Sequence, residues 1–367
     1  MPGIKELIRP CIRNMEPYRP GKSVDYVKKK YGLKKVVKLA SNENPYGPSP
    51  RAVEAIRKID PSSLSVYPET FPEVLLEAIQ EHTGWDRERI VIGAGLDGVL
   101  ETVFRMLAGE GDSVLLPVPT YPYYHTILNV FGCRGVFVNR KDDFSIDVEK
   151  IFEAVDRERP KLIMICSPNN PTGNAERVED VRAVVEYCEG KSVVFIDEAY
   201  GEFAEFEGKA MKGIEGENVI VGRTLSKAFA LASLRVGYAL MDDVLREEYL
   251  KATTPFPVTL PSCLAASEAL KDKEHLNFVV RSIVEERRRV TEELRKLGLK
   301  VYDSQSNFVF VLTPVKAGEF VEELMKRGVI VRDCSSFYGC GENSVRISIG
   351  RREDNDFMLD AVRDVMQ

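Results

Sequence analysis

Between about residue 35 and residue 240, short apolar runs alternate with longer stretches in which apolar residues recur at helical spacing. The stretches include TFPEVLLEAIQEHTG, LDGVLETVFRMLAG and VEDVRAVVEYCEG, with apolar residues at i, i+3, i+4 and i+7. Alternating strands and helices predict a mostly parallel sheet whose two faces are covered by helices. Such sheets bind ligands at the carboxyl ends of their strands. The predicted strands are RIVIG, DSVLLPV, GVFVN, KLIMIC, SVVFID, NVIVG and RVGYALM.

The pattern changes on both sides of this region. Residues 1–34 are polar, basic and interrupted by prolines, which predicts an N-terminal arm with one short helix. Downstream, a long helical region over about 261–297 precedes the strand-like runs NFVFVL, VIVRD and VRISIG and the helical AGEFVEELMKRG and DNDFMLDAVRDVM. We therefore expect an α/β protein with an arm over 1–34, a large domain over 35–249 and a smaller α/β domain over 250–367.

Composition argues against several classes of protein. The formal net charge is −6 and no long basic run occurs, so we expect no nucleic-acid partner. The three histidines are far apart and form no metal-binding spacing. The seven cysteines are scattered without a CxxC pair, which is typical of reduced thiols. The start lacks the apolar core of a signal peptide and no run approaches the ~20 apolar residues of a membrane span, so we expect a soluble, cytoplasmic protein.

Two loops that follow predicted strands carry candidate binding chemistry. GAGLDG, residues 93–98, matches the letters of a dinucleotide-binding loop, but the next strand offers no acid for a ribose, which weakens the dehydrogenase interpretation. A structural turn stays open, and we favour a phosphate site, since glycines and free helix N–H groups suit that anion. SPNNPTG, residues 167–173, follows KLIMIC, where an amide could face a site; a plain turn is the alternative.

An acid and a lysine follow two further predicted strands. Asp197 ends the apolar run SVVFID, where an acid is expected to face a cation; a structural salt bridge is the alternative. Tyr200 lies three residues later. Lys227 lies among small and apolar residues in GRTLSKAFALASLR, and such surroundings lower the pKa of an amine, as Schiff-base chemistry requires. The neighbouring Ser226 would also suit a Ser–Lys hydrolase dyad, but the motifs that accompany such dyads are absent from the sequence.

Taken together, eight strings resemble those of the fold-type I aminotransferases, in that family's order. They cover nearly the whole chain, from residue 41 to residue 350: SNENPYGPS, VYPE, GAGLDG, PTYPYY, SPNNPTG, DEAY, RTLSKAFALASLRVGY and VRISIG. The set is most similar to the histidinol-phosphate aminotransferase branch, on RTLSKAFALA-x-LR, VYPE and TTPFPVTLPSCLAA. That branch usually has glycine where this chain has Ser233, a departure that should only crowd a turn. The resemblance implies an enzyme that depends on pyridoxal 5′-phosphate.

The resemblance also implies how the chain would use this cofactor. Lys227 would hold the cofactor as a Schiff base and later move a proton. Asp197 would pair with the ring nitrogen and keep it protonated. Asn170 and Tyr200 would hydrogen-bond the cofactor's 3′-oxygen, and Tyr121 would stack on its ring, although Tyr121 could also be a core aromatic.

A second group would hold the phosphate. It comprises the backbone at Gly95, Leu96 and Asp97 and the side chains of Thr224, Ser226 and Arg235. Tyr67 is similar to a family tyrosine that reaches the phosphate from the partner subunit, which would make the active unit a homodimer with C2 symmetry.

Substrate choice would depend on the smaller domain and the arm. Arg346 matches the anion-binding arginine of the family, and Arg332, Tyr18 and Asn170 are further candidates for substrate binding. Arg332 could instead form a surface salt bridge. The expected substrates are histidinol phosphate and 2-oxoglutarate. An aromatic amino acid aminotransferase, a threonine-phosphate decarboxylase and a cofactor-sensing regulator are the alternatives, and the short arm and net acidity argue against the last.

Overall fold

The computed structural model describes residues 3–15, 21–204 and 216–367. Its strands are β1 (Val37–Lys38), β2 (Ile90–Ala94), β3 (Ser113–Val118), β4 (Arg134–Asn139), β5 (Leu162–Cys166), β6 (Val193–Asp197), β7 (Val219–Thr224), β8 (Val236–Met241), β9 (Lys300–Val301), β10 (Phe308–Leu312), β11 (Val329–Ile330), β12 (Arg332–Asp333) and β13 (Ser344–Ser348). Its α-helices are α1 (Pro10–Arg13), α2 (Val24–Tyr31), α3 (Pro50–Arg57), α4 (Glu73–Thr83), α5 (Gly95–Leu107), α6 (Tyr123–Phe131), α7 (Val148–Glu158), α8 (Val178–Tyr187), α9 (Asp243–Ala252), α10 (Leu260–Lys271), α11 (Lys273–Lys296), α12 (Ala317–Lys326) and α13 (Arg352–Met366). Short 3₁₀ helices cover Ile4–Leu7, Pro61–Ser65, Arg87–Arg89, Gly201–Phe203 and Ala232–Leu234.

A seven-stranded sheet forms the centre of the fold. Its order is β2-β8-β7-β6-β5-β3-β4, and only β8 runs antiparallel to its neighbours. Side chains of a strand point alternately to opposite faces, and β5 follows this rule: Leu162 and Met164 join the core cluster that contains α5 and α6, whereas Ile163 joins the cluster of α7 and α8. Both faces are therefore apolar, which explains the continuous apolar runs and confirms the predicted mostly parallel α/β sheet.

The C-terminal part contains a four-stranded antiparallel sheet in the order β12-β13-β10-β9. The run VIVRD, expected as one strand, is divided between sheets, because β11 pairs with β1 while β12 pairs with β13. The helical region expected over 261–297 is likewise two helices, since the Asp272 side chain accepts the His275 N–H and starts α11. The proposed domain limits stay predictions.

The carboxyl ends of the central strands bring together polar residues that are distant in sequence. In the register of the sheet, Cys166 lies beside Asp197, and Asp197 lies beside Gly222. The loops that follow β5, β6 and β7 consequently open at one edge of the sheet. Among the described residues, no helix has both the length and the apolar character that crossing a bilayer requires.

Candidate active site

A cavity of about 590 Å³ opens at this edge of the sheet. Most of the residues predicted for the site line it: Leu96, Asp97, Tyr121, Asn170, Asp197, Tyr200, Thr224, Ser226, Lys227, Arg235, Arg332 and Arg346. The volume falls within the range of small-molecule and cofactor sites. The cavity walls come from the central sheet, from the 40–42 segment and from β12 and β13, so the site forms only when the chain is folded.

Lys227 lies in the turn after β7 and is half-buried. Its ammonium nitrogen is 5.7 Å from the centre of the Tyr200 ring. The side-chain amide of Asn44 donates to the Ala228 carbonyl oxygen at 2.9 Å and fixes the turn. Burial, assisted by the Arg346 cation, lowers the pKa of Lys227 to about 8. A far larger fraction of this amine is neutral at physiological pH than in an exposed lysine.

Asp197 is almost fully buried at the end of β6. The Tyr124 hydroxyl donates to Asp197 Oδ2 at 2.5 Å, and the Ala199 N–H donates to Oδ1 at 2.9 Å. Burial raises the pKa of Asp197 to about 6, and these two hydrogen bonds oppose the rise. The carboxylate thus remains available at the cavity wall to balance a cation.

Tyr200 and Asn170 lie in one hydrogen-bond network with Asn42. The Tyr200 oxygen accepts N–H groups from Asn42 at 3.0 Å and from Asn170 at 3.2 Å. Burial raises the pKa of Tyr200 to about 12, although Arg346 and the Asn42 hydrogen bond act in the opposite direction. At neutral pH the phenol is therefore protonated and able to donate.

The start of α5 forms one end of the cavity. The first N–H groups of a helix have no partner within the helix, and Leu96 and Asp97 occupy these positions on the cavity wall. Gly95 differs from the prediction, because its N–H already donates to the Arg235 carbonyl oxygen at 3.0 Å. Gly237 allows this close approach, since a Cβ there would lie 2.2 Å from the Leu96 nitrogen. Two of the three predicted backbone donors are therefore left for an anion.

Hydroxyl and guanidinium groups surround the same end of the cavity. Thr224 Oγ1 is 3.0 Å from Ser226 Oγ, and Arg235 Nη1 approaches Ser226 Oγ at 3.5 Å. Arg235 Nη2 forms a 3.1 Å ion pair with Asp97, whose side chain is partly exposed. Cationic and hydroxyl donors beside a helix start are the groups that bind phosphate in proteins.

Two arginines from the C-terminal sheet also line the cavity. Arg332 and Arg346 are directly paired across β12 and β13. Arg346 is buried, donates to Asn170 Oδ1 at 2.5 Å and to the Ala40 carbonyl at 2.8 Å, and its Nε has no hydrogen-bond partner among the described residues. The Arg332 guanidinium lies 5.2 Å from the centre of the Phe337 ring, which also lines the cavity.

The structure places the predicted site tyrosines Tyr121, Tyr67 and Tyr18 differently. Tyr121 lines the cavity and packs edge-on against Tyr124, with ring centres 5.5 Å apart. Tyr67 is 80% exposed and stacks on Phe256, so it does not line the cavity of its own chain. Tyr18 lies outside the described residues.

Sequence reasoning missed several residues that the structure brings to the site. Tyr124 lies in PTYPYY and Asn42 in SNENP, but neither string indicates a contact with Asp197 or Tyr200. Phe337 and Tyr123 also line the cavity. Their only signal in the sequence is their proximity to residues that were singled out.

Known proteins that are similar to this chain are aminotransferases. The family model described as "Aminotransferase class I and II" matches residues 34–362. Histidinol-phosphate aminotransferase 1 of Archaeoglobus fulgidus is 48% identical over 331 residues, which cover 90% of this chain and 99% of that protein. Histidinol-phosphate aminotransferase of Methanosarcina mazei is 43% identical over 361 residues, covering 97% of this chain and 96% of its own.

A solved structure extends the similarity to the fold. Histidinol-phosphate aminotransferase from Sinorhizobium meliloti, in complex with pyridoxal-5′-phosphate, superposes with a TM-score of 0.88 at 28% identity, covering 98% of this chain and 97% of that one. The fold-type I architecture and the resemblance inferred from the eight strings are thus confirmed. This chain belongs to the class I and II aminotransferase family.

Proposed function

We propose that this enzyme is a pyridoxal-phosphate-dependent histidinol-phosphate aminotransferase that passes the amino group to 2-oxoglutarate. The names of its relatives support this substrate. The structural observation that carries the proposal is the direct cross-strand pairing of Arg332 with Arg346 beside the cavity that Lys227 lines. Like charges directly opposite each other destabilise a sheet, so the pair is best explained by an anion that binds between them.

The residues of the cavity fit the cofactor. The start of α5 with Thr224, Ser226 and Arg235 would hold its phosphate, since these groups supply backbone N–H, hydroxyl and guanidinium donors. The Arg235 guanidinium, now paired with Asp97, would exchange a partly exposed carboxylate for the phosphate dianion. Tyr121 would cover one face of the ring.

Lys227 and Asp197 would carry the chemistry at the two ends of the ring. When bound, the cofactor supplies an aldehyde carbon and an electron-accepting ring that amino-acid side chains lack. With its pKa near 8, Lys227 offers roughly 300-fold more neutral amine at pH 7 than a lysine of pKa 10.5, and it would act as nucleophile and then as proton carrier. The Asp197 carboxylate would pair with the ring nitrogen and hold a proton there.

The substrate phosphate would be bound by the arginine pair. Arg346 retains a buried Nε–H without a hydrogen-bond partner among the described residues, and Arg332 presents a second guanidinium from the adjacent strand. Two guanidinium groups match a dianion better than a single carboxylate does. Phe337, beneath Arg332, adds an apolar surface to the same wall.

We also propose a homodimer in the cytoplasm. Tyr67 is 80% exposed, and Leu64 and Val66 beside it are 62% and 69% exposed, which suits a surface that a second copy covers. The seven cysteines are all free thiols, as expected in a reducing compartment.

Steady-state kinetics with two amino donors tests the substrate. We expect higher kcat/KM with histidinol phosphate than with phenylalanine. Arg332→Gln should lower kcat/KM for histidinol phosphate by about 10- to 100-fold, the loss of one charge-assisted contact, and change the value for phenylalanine much less. Faster turnover of phenylalanine, or an equal loss for both donors, would contradict the proposal.

A further inference from the structure

The hydroxyl oxygen of Tyr200 receives two amide N–H groups from different parts of the chain. Asn170 approaches from the loop after β5, and Asn42 approaches from the segment after β1. A phenolic oxygen has two lone pairs, so both are taken. Its own hydrogen has no acceptor among the described residues, and Tyr200 lines the cavity. The hydroxyl is therefore set to donate into the cavity and not to accept from it.

The orientation of both amides follows from their other partners. Arg346 can only donate, so Asn170 must turn its oxygen toward Arg346 and its NH₂ toward Tyr200. The Ser348 hydroxyl accepts the backbone N–H of Asn42 at 2.9 Å and gives its own hydrogen to Asn42 Oδ1 at 2.8 Å. Asn42 consequently also presents its NH₂ to Tyr200.

The backbone of Asn42 is equally well fixed. Its carbonyl accepts an N–H from Asn307 at 3.0 Å, and its φ of +54° lies in the left-handed region that asparagine, aspartate and glycine tolerate best. Asn42 is 1% exposed, although it lies on the cavity wall.

We propose that Asn42 is a positioning residue that fixes Tyr200 as a one-way hydrogen-bond donor to the cofactor's 3′-oxygen; the inference rests on the proposed function. An N–H that donates to the phenol oxygen withdraws electron density and makes the O–H a stronger donor. A 3′-oxygen that accepts a stronger hydrogen bond from Tyr200 is a weaker acceptor for a second one. It would therefore stabilise a proton on the nearby Lys227 nitrogen less. Asn42 would thus lower the pH at which this proton leaves.

The other charged or titratable groups around Tyr200 are Arg346 on β13, Asp197 on β6, Cys166 on β5 and Lys227 after β7. Substitutions at Asn42 leave all four in place. Two replacements suit its left-handed backbone: Asn42→Gly removes the amide, and Asn42→Asp puts a carboxylate where the NH₂ was. The aspartate would capture the Tyr200 hydrogen, reversing the direction of the hydrogen bond.

The test is the pH midpoint of the visible absorbance band of the protein loaded with pyridoxal phosphate. We expect Asn42→Gly to raise the midpoint by about half to one pH unit, the effect of one hydrogen bond, and Asn42→Asp to raise it further. In a Tyr200→Phe background Asn42→Gly should have no additional effect, because the hydroxyl on which Asn42 acts is gone. Asn42→Asp should there have a smaller effect than in the wild type, because only the direct attraction between its carboxylate and the protonated nitrogen remains. A general structural disturbance would persist in that background.

The possible results distinguish a failure of the proposed cofactor from a failure of the proposed role of Asn42. If the wild-type protein acquires no such band, the proposed cofactor is wrong. If the wild-type band titrates but its midpoint is unchanged in both Asn42 variants, or moves equally in the Tyr200→Phe background, the role of Asn42 is overturned. Thermal melting of each variant identifies one that does not fold, and the other substitution then decides the question.

Discussion

Replacing Lys227 by methionine is expected to stabilise the cofactor-free protein at neutral pH. Methionine keeps most of the aliphatic stem and removes the ammonium group, whose partial burial destabilises the folded state. The pKa of Lys227 is about 8 in the folded protein and 10.5 is its ordinary value. Such a shift corresponds to about 3 kcal/mol at 1.36 kcal/mol per pH unit, and solvent screening of this half-buried side chain reduces it to about 2 kcal/mol.

The pH dependence of this gain follows from the direction of the shift. Below pH 8 the lysine is protonated in the folded and unfolded states, so the folded state bears the whole cost of the buried charge. Between about pH 8 and pH 10.5 the folded state loses its proton first and the cost declines. The stabilisation by Lys227→Met should therefore be full at pH 7, shrink as the pH rises through 8 and vanish above 10.5.

Thermal melting of the cofactor-free protein between pH 6.5 and pH 10 measures this effect. At the unfolding entropy typical of a chain of 367 residues, about 2 kcal/mol raises Tm by roughly 2–3 °C. Lys141, which is exposed, supplies the matched control, and Lys141→Met should give no comparable pH-dependent change. A Lys227→Met protein that melts at or below the wild-type temperature at pH 7, or whose gain grows with pH, would refute the reasoning.

Two further substitutions test the ends of the cofactor site. Arg235→Gln should weaken pyridoxal-phosphate binding by about 10- to 100-fold and leave the binding of pyridoxal, which has no phosphate, nearly unchanged; equal losses in a fluorescence titration would argue against a phosphate contact. Tyr124→Phe removes a donor from Asp197, so the carboxyl pKa should rise above about 6 in the cofactor-free protein. Infrared spectra of the carboxyl band against pH measure that rise, and an unchanged midpoint would exclude a role of Tyr124 in setting it.

Much of the central sheet was predictable because its inner strands, such as β3, β5 and β7, are buried on both faces. Every residue of β5 is buried, so the strand appears in the sequence as an unbroken apolar run with a turn after it. The carboxyl end of such a strand is also where ligands bind, which is why Asn170 and Asp197 could be singled out. Lys227 was recognisable because few lysines have such apolar neighbours.

Other features depend on contacts between residues that are distant in sequence. The run VIVRD carries no sign that its first half pairs with β1 and its second half with β13. Tyr124 is 73 residues from Asp197, and Asn42 is 158 residues from Tyr200. The hydrogen bond from the Gly95 N–H to the Arg235 carbonyl oxygen could not be predicted from the sequence either, because it depends on how closely β8 approaches α5.

The roles of individual site residues remain predictions. The covalent attachment of the cofactor to Lys227 can be tested most directly. Protein reconstituted with pyridoxal phosphate is reduced with borohydride, digested and sequenced by mass spectrometry. We predict that the visible band bleaches, that the pyridoxyl group is found on Lys227, and that Lys227→Met shows neither band nor label. A label on a different lysine, or an equal label in Lys227→Met, would contradict the account.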